Sequence, residues 1–236
     1  MIKYLPNAIT CLNLFSGCIG VVFAFNDNLI YAGYAILIAA FLDFFDGMAA
    51  RLLNINSLMG KELDSLADMV SFGFLPSVII FQLIAGSPQI HEGNEWLKYS
   101  AFLIAIFSAL RLAKFNIDTR QSESFIGLPT PSAALVILSL PYVIERGGVI
   151  GEGFESLIGL IAITLLLCYL LVAELPLLSL KFKSFSFNSN RYRYYLLISG
   201  ILLFILLQFA AIPLIILIYI MLSVIQSSTK KIAKIN

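Results

Sequence analysis

Apolar residues run through this chain in long blocks, each closed by a short polar segment rich in charge, glycine or proline. A membrane-crossing helix needs roughly 20 apolar residues, fewer where interfacial side chains anchor it. On that basis the pattern predicts helices over 8–25, 29–50, 61–85, 98–116, 131–145, 155–177, 194–208 and 210–226. The run 196–225 is apolar throughout, and it reads as one long tilted helix or as two short ones meeting near Gln208 and Pro213. The expected fold is all-α: a polytopic integral membrane helical bundle of about eight transmembrane helices, forming one domain over residues 1–236.

Composition agrees. The 236 residues are 60% hydrophobic and only 12% charged, with a mean hydropathy of +0.94. An ordinary soluble domain carries about a quarter charged residues, so that class is excluded. Charge distribution favours eight helices over seven. With eight, all of the 15 lysines and arginines except Lys98 and Arg146 fall on one side, as the positive-inside rule expects of the cytoplasm. Both chain ends are then cytoplasmic, in a multi-pass protein of the inner, or cytoplasmic, cell membrane. The opening MIKYLPNAIT has a single lysine, and Asn13 interrupts the apolar run that follows, so this segment is expected to stay as a span rather than act as a signal peptide.

Some polar features carry no chemistry at this stage. Cys11, Cys18 and Cys168 have neither CxxC nor Cys/His spacing and are expected as small core residues. His91 sits alone in the polar segment SPQIHEGNEW and reads as a solvated loop residue. The segment KFKSFSFNSNRYRYY interleaves cations with aromatics; beside a span this is an interfacial belt for anionic lipid headgroups, and no nucleic-acid partner is expected.

The stretch DFFDGMAARLLNINSLMGKELDSLAD at 43–68 departs from the apolar pattern. With 3.6 residues per turn, Asp43, Asp46, Gly47 and Ala50 fall within an arc of about 100°, one face of the second helix that joins carboxylates to very small side chains. Gly60, Asp64 and Asp68 recur every fourth residue on the third helix and form a second stripe. Two antiparallel helices can turn these stripes toward each other. Four unneutralised carboxylates would then repel one another at poor solvation, and hard divalent cations with oxygen ligands, Mg²⁺ or Mn²⁺, relieve that. Gly47 and Gly60 each cost about 1 kcal/mol of helix propensity relative to alanine, which suits close approach of a helix or a ligand. Arg51 beside the carboxylates favours an anionic ligand such as a phosphate.

These residues fit D-x2-D-G-x2-A-R-x8-G-x3-D-x3-D without a departure, and the segment resembles the signature of the CDP-alcohol phosphatidyltransferases. LPNAITCLNLFSG, DMVSFGFLPS, RLAKFN and FIGLPTPSAA are similar to segments of the bacterial and archaeal phosphatidylserine synthases, a likeness that covers roughly residues 3 to 140. The resemblance implies transfer of the phosphatidyl group of CDP-diacylglycerol to the hydroxyl of L-serine, giving phosphatidylserine and CMP. It implies a divalent-metal pair on Asp43, Asp46, Asp64 and Asp68, with Asp68 also the general base, and a CDP site at Gly47, Ala50, Arg51 and Gly60, with Thr10 and Asn13 beside them. It also implies a homodimer.

For the acceptor, Arg111, Lys114 and Asn116 are the candidates, near the turn at Gly127, Pro129 and Pro131; the two cations equally suit topology-setting, snorkelling charge. A related enzyme using glycerol 3-phosphate or an inositol phosphate stays open, with Arg120 as a further phosphate ligand. A divalent-cation transporter is the rival of another class, but the chain shows neither a matching acidic cluster at the opposite face nor a clear internal repeat.

Overall fold

A computed structural model describes residues 2–55, 57–118, 125–178 and 186–235. The elements follow the apolar blocks closely: α1 (Leu5–Phe25), α2 (Leu29–Leu52), α3 (Leu58–Asp68), α4 (Leu75–Ala85), α5 (Leu103–Ile117), α6 (Thr130–Arg146), α7 (Gly148–Glu155), α8 (Leu157–Val172), α9 (Phe187–Leu207) and α10 (Ile212–Ile235). The only strands among the described residues are β1 (Phe125–Ile126) and β2 (Pro176–Leu177), which pair antiparallel. Five helical stretches are long and apolar enough to cross a membrane, and the bent α7–α8 pair would make a sixth. The chain is thus an all-α polytopic membrane protein. Arg120, Lys181 and Lys183 lie outside the described residues.

The bundle is organised around α4, whose Leu75, Val78, Ile79, Ile80 and Ile84 are fully buried. Large apolar side chains such as Phe15, Phe41, Ile158 and Ile205 point outward, as lipid-facing positions require. Small residues set the closest approaches. At Gly20 a Cβ would collide with the Leu75 side chain and stand 2.9 Å from the Ala35 Cβ, so α1 sits directly on α2 and α4. The Ser16 hydroxyl adds a cross-helix bond to the Ala35 carbonyl oxygen, 2.9 Å.

Several boundaries differ from the sequence expectation. The predicted 61–85 helix begins three residues earlier, where Ser57 caps it by accepting from the Gly60 N–H at 3.2 Å. It also widens into a π-helical turn over Met69–Phe74, between α3 and α4. The expected 155–177 helix is replaced by α7 and α8, bent by 78°, with Ser156 capping α8 through Gly159 N–H at 3.0 Å. It stops at Val172, because Pro176 pushes the preceding residues toward extended backbone and leads them into β2. Residues 95–102 form a 3₁₀ turn ahead of α5.

The ambiguous run 196–225 folds back on itself. Gln208 takes φ 54°, a short 3₁₀ turn follows over Gln208–Ala211, and the Tyr192 hydroxyl then lies 3.5 Å from Thr229 Oγ1. A single straight helix would hold those residues about 55 Å apart. The two helices therefore form a hairpin. Cys168 is buried as expected, whereas Cys11 and Cys18 are exposed on the outer surface of α1, since the inner face is taken by Thr10, Asn13, Gly17 and Gly20. His91 lies in an exposed turn where its Nδ1 accepts from Gly93 N–H at 3.2 Å.

Candidate active site

A short connection joins the end of α2 to the start of α3, and Asn54 in it takes φ 51°. This antiparallel turn brings the two acidic stripes together. Carboxylate oxygens of Asp43, Asp64 and Asp68 all lie within 4.8 Å of one another. Asp64 Oδ1 and Asp68 Oδ1 are buried without a hydrogen-bond partner, and so is Asp46 Oδ2. Clustered carboxylate oxygens that are both desolvated and unpartnered form a donor set suited to a hard divalent cation. These residues are a candidate metal centre.

Asp46 stands slightly apart from the other three. It faces a cavity of about 190 Å³ shared with Asp64 and lined also by Pro6, Thr10, Gly47, Ala50, Ile55, Ser57, Gly60 and Lys61. Four of the six expected CDP ligands, Thr10, Gly47, Ala50 and Gly60, therefore line one cavity beside the carboxylates. Arg51 borders it: its Nη1 lies 3.9 Å from where a Gly47 Cβ would stand, and the side chain is exposed. Asn13 does not line the cavity. It is fully buried one turn deeper on α1, its amide has no partner among the described residues, and its backbone carbonyl accepts from the Ser71 hydroxyl at 3.1 Å.

The acceptor candidates separate into three environments. Arg111 is 8% exposed and donates from Nη1 to Thr130 Oγ1 at 3.2 Å, with its guanidinium over the Phe115 ring at 5.3 Å; its Nε has no acceptor. Lys114 is half exposed and paired with Glu174 at 3.3 Å, so part of its charge is already countered. Asn116 serves as a tether: its Nδ2 donates to Ser65 Oγ at 2.9 Å, and its backbone carbonyl oxygen accepts from Lys61 Nζ at 3.2 Å. These bonds hold the end of α5 against α3 at Lys61 and Ser65, the residues next after Gly60 and Asp64.

Sequence reasoning passed over Thr130, Ser65, Ser71, Lys61 and Glu174 as site-shaping residues. Lys61, Ser65 and Ser71 lie within or just after the signature, but nothing in the sequence shows which distant residues they meet.

A family model described as CDP-alcohol phosphatidyltransferase matches residues 3–178. The chain belongs to this family. As a CDP-alcohol phosphatidyltransferase it is similar to proteins described as CDP-diacylglycerol–serine O-phosphatidyltransferase from several organisms. It is 38% identical to the Helicobacter pylori (strain J99) protein over 135 residues, covering 56% of this chain and 55% of that one. It is 42% identical to the Bacillus subtilis protein over 142 residues, 59% of this chain and 77% of that one. The Saccharomyces cerevisiae protein is 34% identical over 160 residues, 61% of this chain and 55% of that one. The chain thus spans about half the length of the Helicobacter and yeast relatives.

Proposed function

We propose that this chain is a phosphatidylserine synthase, moving the phosphatidyl group of CDP-diacylglycerol to the hydroxyl of L-serine and releasing CMP. The observation that carries the reading is the junction of a carboxylate cluster with a cavity walled by Thr10, Gly47, Ala50 and Gly60. Small side chains there admit a nucleotide pyrophosphate close to the helix backbone, and the carboxylates stand beside it. The acceptor choice is supported by the names of the similar proteins, each described as acting with serine.

Asp43, Asp46, Asp64 and Asp68 would hold a divalent pair, Mg²⁺ or Mn²⁺, which when bound neutralises charge on the pyrophosphate and on the departing CMP. Asp68, one of the three clustered carboxylates, would act as the general base. The serine oxygen attacks the phosphorus bearing the diacylglycerol, Asp68 takes its proton, and the bond from that phosphorus to the CMP oxygen breaks. A serine hydroxyl is a weak nucleophile near pH 7, so a positioned base is needed. Arg111 is the only strongly buried cation among the described residues and suits the serine carboxylate. Lys114 and Asn116, on the same helix as Arg111, would border the acceptor, and Arg51 would meet a donor phosphate.

Residues 1–236 form one membrane-embedded catalytic domain on this reading, with eight crossings and the carboxylates facing the cytoplasm, where serine is dissolved and CDP-diacylglycerol reaches from the inner membrane. Lipid is a partner as substrate and as solvent, and the working unit is a homodimer.

The test is CMP release by the full chain, purified in detergent with CDP-diacylglycerol and Mn²⁺ or Mg²⁺, comparing L-serine with glycerol 3-phosphate and an inositol phosphate. Release with serine alone supports the assignment. Release with a phosphorylated acceptor instead overturns the acceptor, and no metal-dependent release with any of them returns the acidic cluster to the cation-transporter reading.

A further inference from the structure

We propose that Thr130 is a positioning residue for the acceptor site: its hydroxyl accepts from Arg111 Nη1 and fixes which edge of the buried guanidinium meets the acceptor's anionic group. This rests on the transferase reading above and adds to it a residue that binds neither metal nor nucleotide.

The argument starts from Arg111. It is 8% exposed, and no carboxylate of the described residues lies within 4.0 Å of its guanidinium. A buried cation without an ion pair is costly, and that cost is recovered when an anion arrives. Thr130, itself uncharged, accepts a hydrogen bond from it at 3.2 Å without countering its charge, and the Phe115 ring lies 5.3 Å from its Cζ. The ring restrains the guanidinium but does not choose its orientation within its plane. The Thr130 bond does, leaving Nε without a protein acceptor.

Thr130 is itself held by backbone. It is fully buried at the first position of α6, between Pro129 and Pro131. The turn before it is pinned to the end of α8: Gly127 N–H donates to Leu175 O at 3.0 Å, and Leu128 N–H donates to Leu170 O at 2.8 Å. Gly127 takes φ 78°, and a Cβ there would come within 2.8 Å of Leu171 O, so glycine alone suits this approach. A rigid turn thus delivers one hydroxyl to one edge of the guanidinium.

The experiment compares Thr130→Val, Thr130→Ser and Arg111→Lys with the unmodified full chain in detergent, using whichever of L-serine or glycerol 3-phosphate the unmodified chain accepts. Valine removes the hydroxyl at nearly the same shape and should raise the acceptor KM about ten- to hundredfold, as loss of a hydrogen bond to a charged group does. The KM for CDP-diacylglycerol and the melting temperature should stay near their starting values. Serine keeps the hydroxyl and should restore the acceptor KM. Thr130→Val should add nothing once Arg111 is lysine, because the hydroxyl acts through the guanidinium. An unchanged acceptor KM in Thr130→Val, failure of serine to restore it, a melting temperature that falls in step with activity, or independent losses in the double variant would each overturn the proposal. Preference of the unmodified chain for glycerol 3-phosphate would defeat the serine reading alone, with Thr130 then judged on the KM for that acceptor.

Discussion

The Ser71 hydroxyl donates to the Asn13 backbone carbonyl oxygen at 3.1 Å, joining α1 to the π-helical turn that begins one residue after Asp68. Behind this bond the two backbones nearly touch: a Cβ on Gly17 would stand 2.5 Å from Ser71 Oγ and 3.0 Å from its Cα. The obstacle is partly backbone, so it cannot swing aside. Gly17→Ala should therefore destabilise the protein by about 1–3 kcal/mol, as overpacking does, and lower CMP release by shifting Asp68. Gly33→Ala is the control. Its Cβ would meet Leu138 at 3.5 Å, an ordinary contact, and a thermal melt should show no loss of stability.

Asp64 lies among three carboxylates whose oxygens fall within 4.8 Å of one another. Without a cation these charges repel in a poorly solvated site, so Asp64→Asn should raise the melting temperature of metal-free protein. In the unmodified chain a hundredfold excess of Mn²⁺ over its Kd should add about 2.7 kcal/mol. The variant should lose that increment and at least about a hundredfold of CMP release. A variant that melts lower without metal yet still gains stability from Mn²⁺ would remove Asp64 from the ligand set.

The legible and illegible parts of this molecule divide by range. The helices and the convergence of the acidic stripes follow from local periodicity and one short turn, and both could be read along the chain. The offset of Asp46 could not: the sequence puts it on one face with Asp43, and only packing turns it toward the cavity rather than the carboxylate cluster. The partners of Arg111, Asn116 and Ser71 are 19, 51 and 58 residues distant, brought together only by tertiary packing, and no pattern in one sequence encodes such pairs. The π-helical turn was hidden for another reason. Met69–Phe74 is as apolar as the α-helix expected there, and the widening shows only in the folded backbone.

Gly47 should separate stability from function. It lies inside α2 and lines the cavity, and the one side-chain atom near its absent Cβ is Arg51 Nη1 at 3.9 Å. Alanine therefore meets no obstacle in the ligand-free protein and should stabilise it by up to about 1 kcal/mol through helix propensity. The added methyl enters the space assigned to the donor pyrophosphate, so the KM for CDP-diacylglycerol should rise. Melting curves and initial rates on the same preparation check both signs, and a higher melting temperature with an unchanged KM would move the nucleotide out of this cavity.

The α9–α10 hairpin predicts a contact that no single long helix allows. A Cβ on Gly200 would lie 3.8 Å from Ile215 Cγ2, whereas a straight helix would separate the two positions by about 22 Å. Disulfide formation needs Cα atoms within about 7 Å, so this pair discriminates the two arrangements sharply. In a background with Cys11, Cys18 and Cys168 replaced by alanine, Gly200→Cys with Ile215→Cys should oxidise to an intramolecular disulfide, detected by mass spectrometry of the linked peptides. Gly200→Cys with Leu222→Cys, about two helical turns further along α10, should not. Linkage of the first pair alone returns the chain to the side from which α9 set out, as eight crossings with both ends on one face require. Absence of linkage in either pair would reduce the region to one span and place the C-terminal Lys230, Lys231 and Lys234 on the face opposite the other basic residues, against the charge bias that runs through the rest of the sequence.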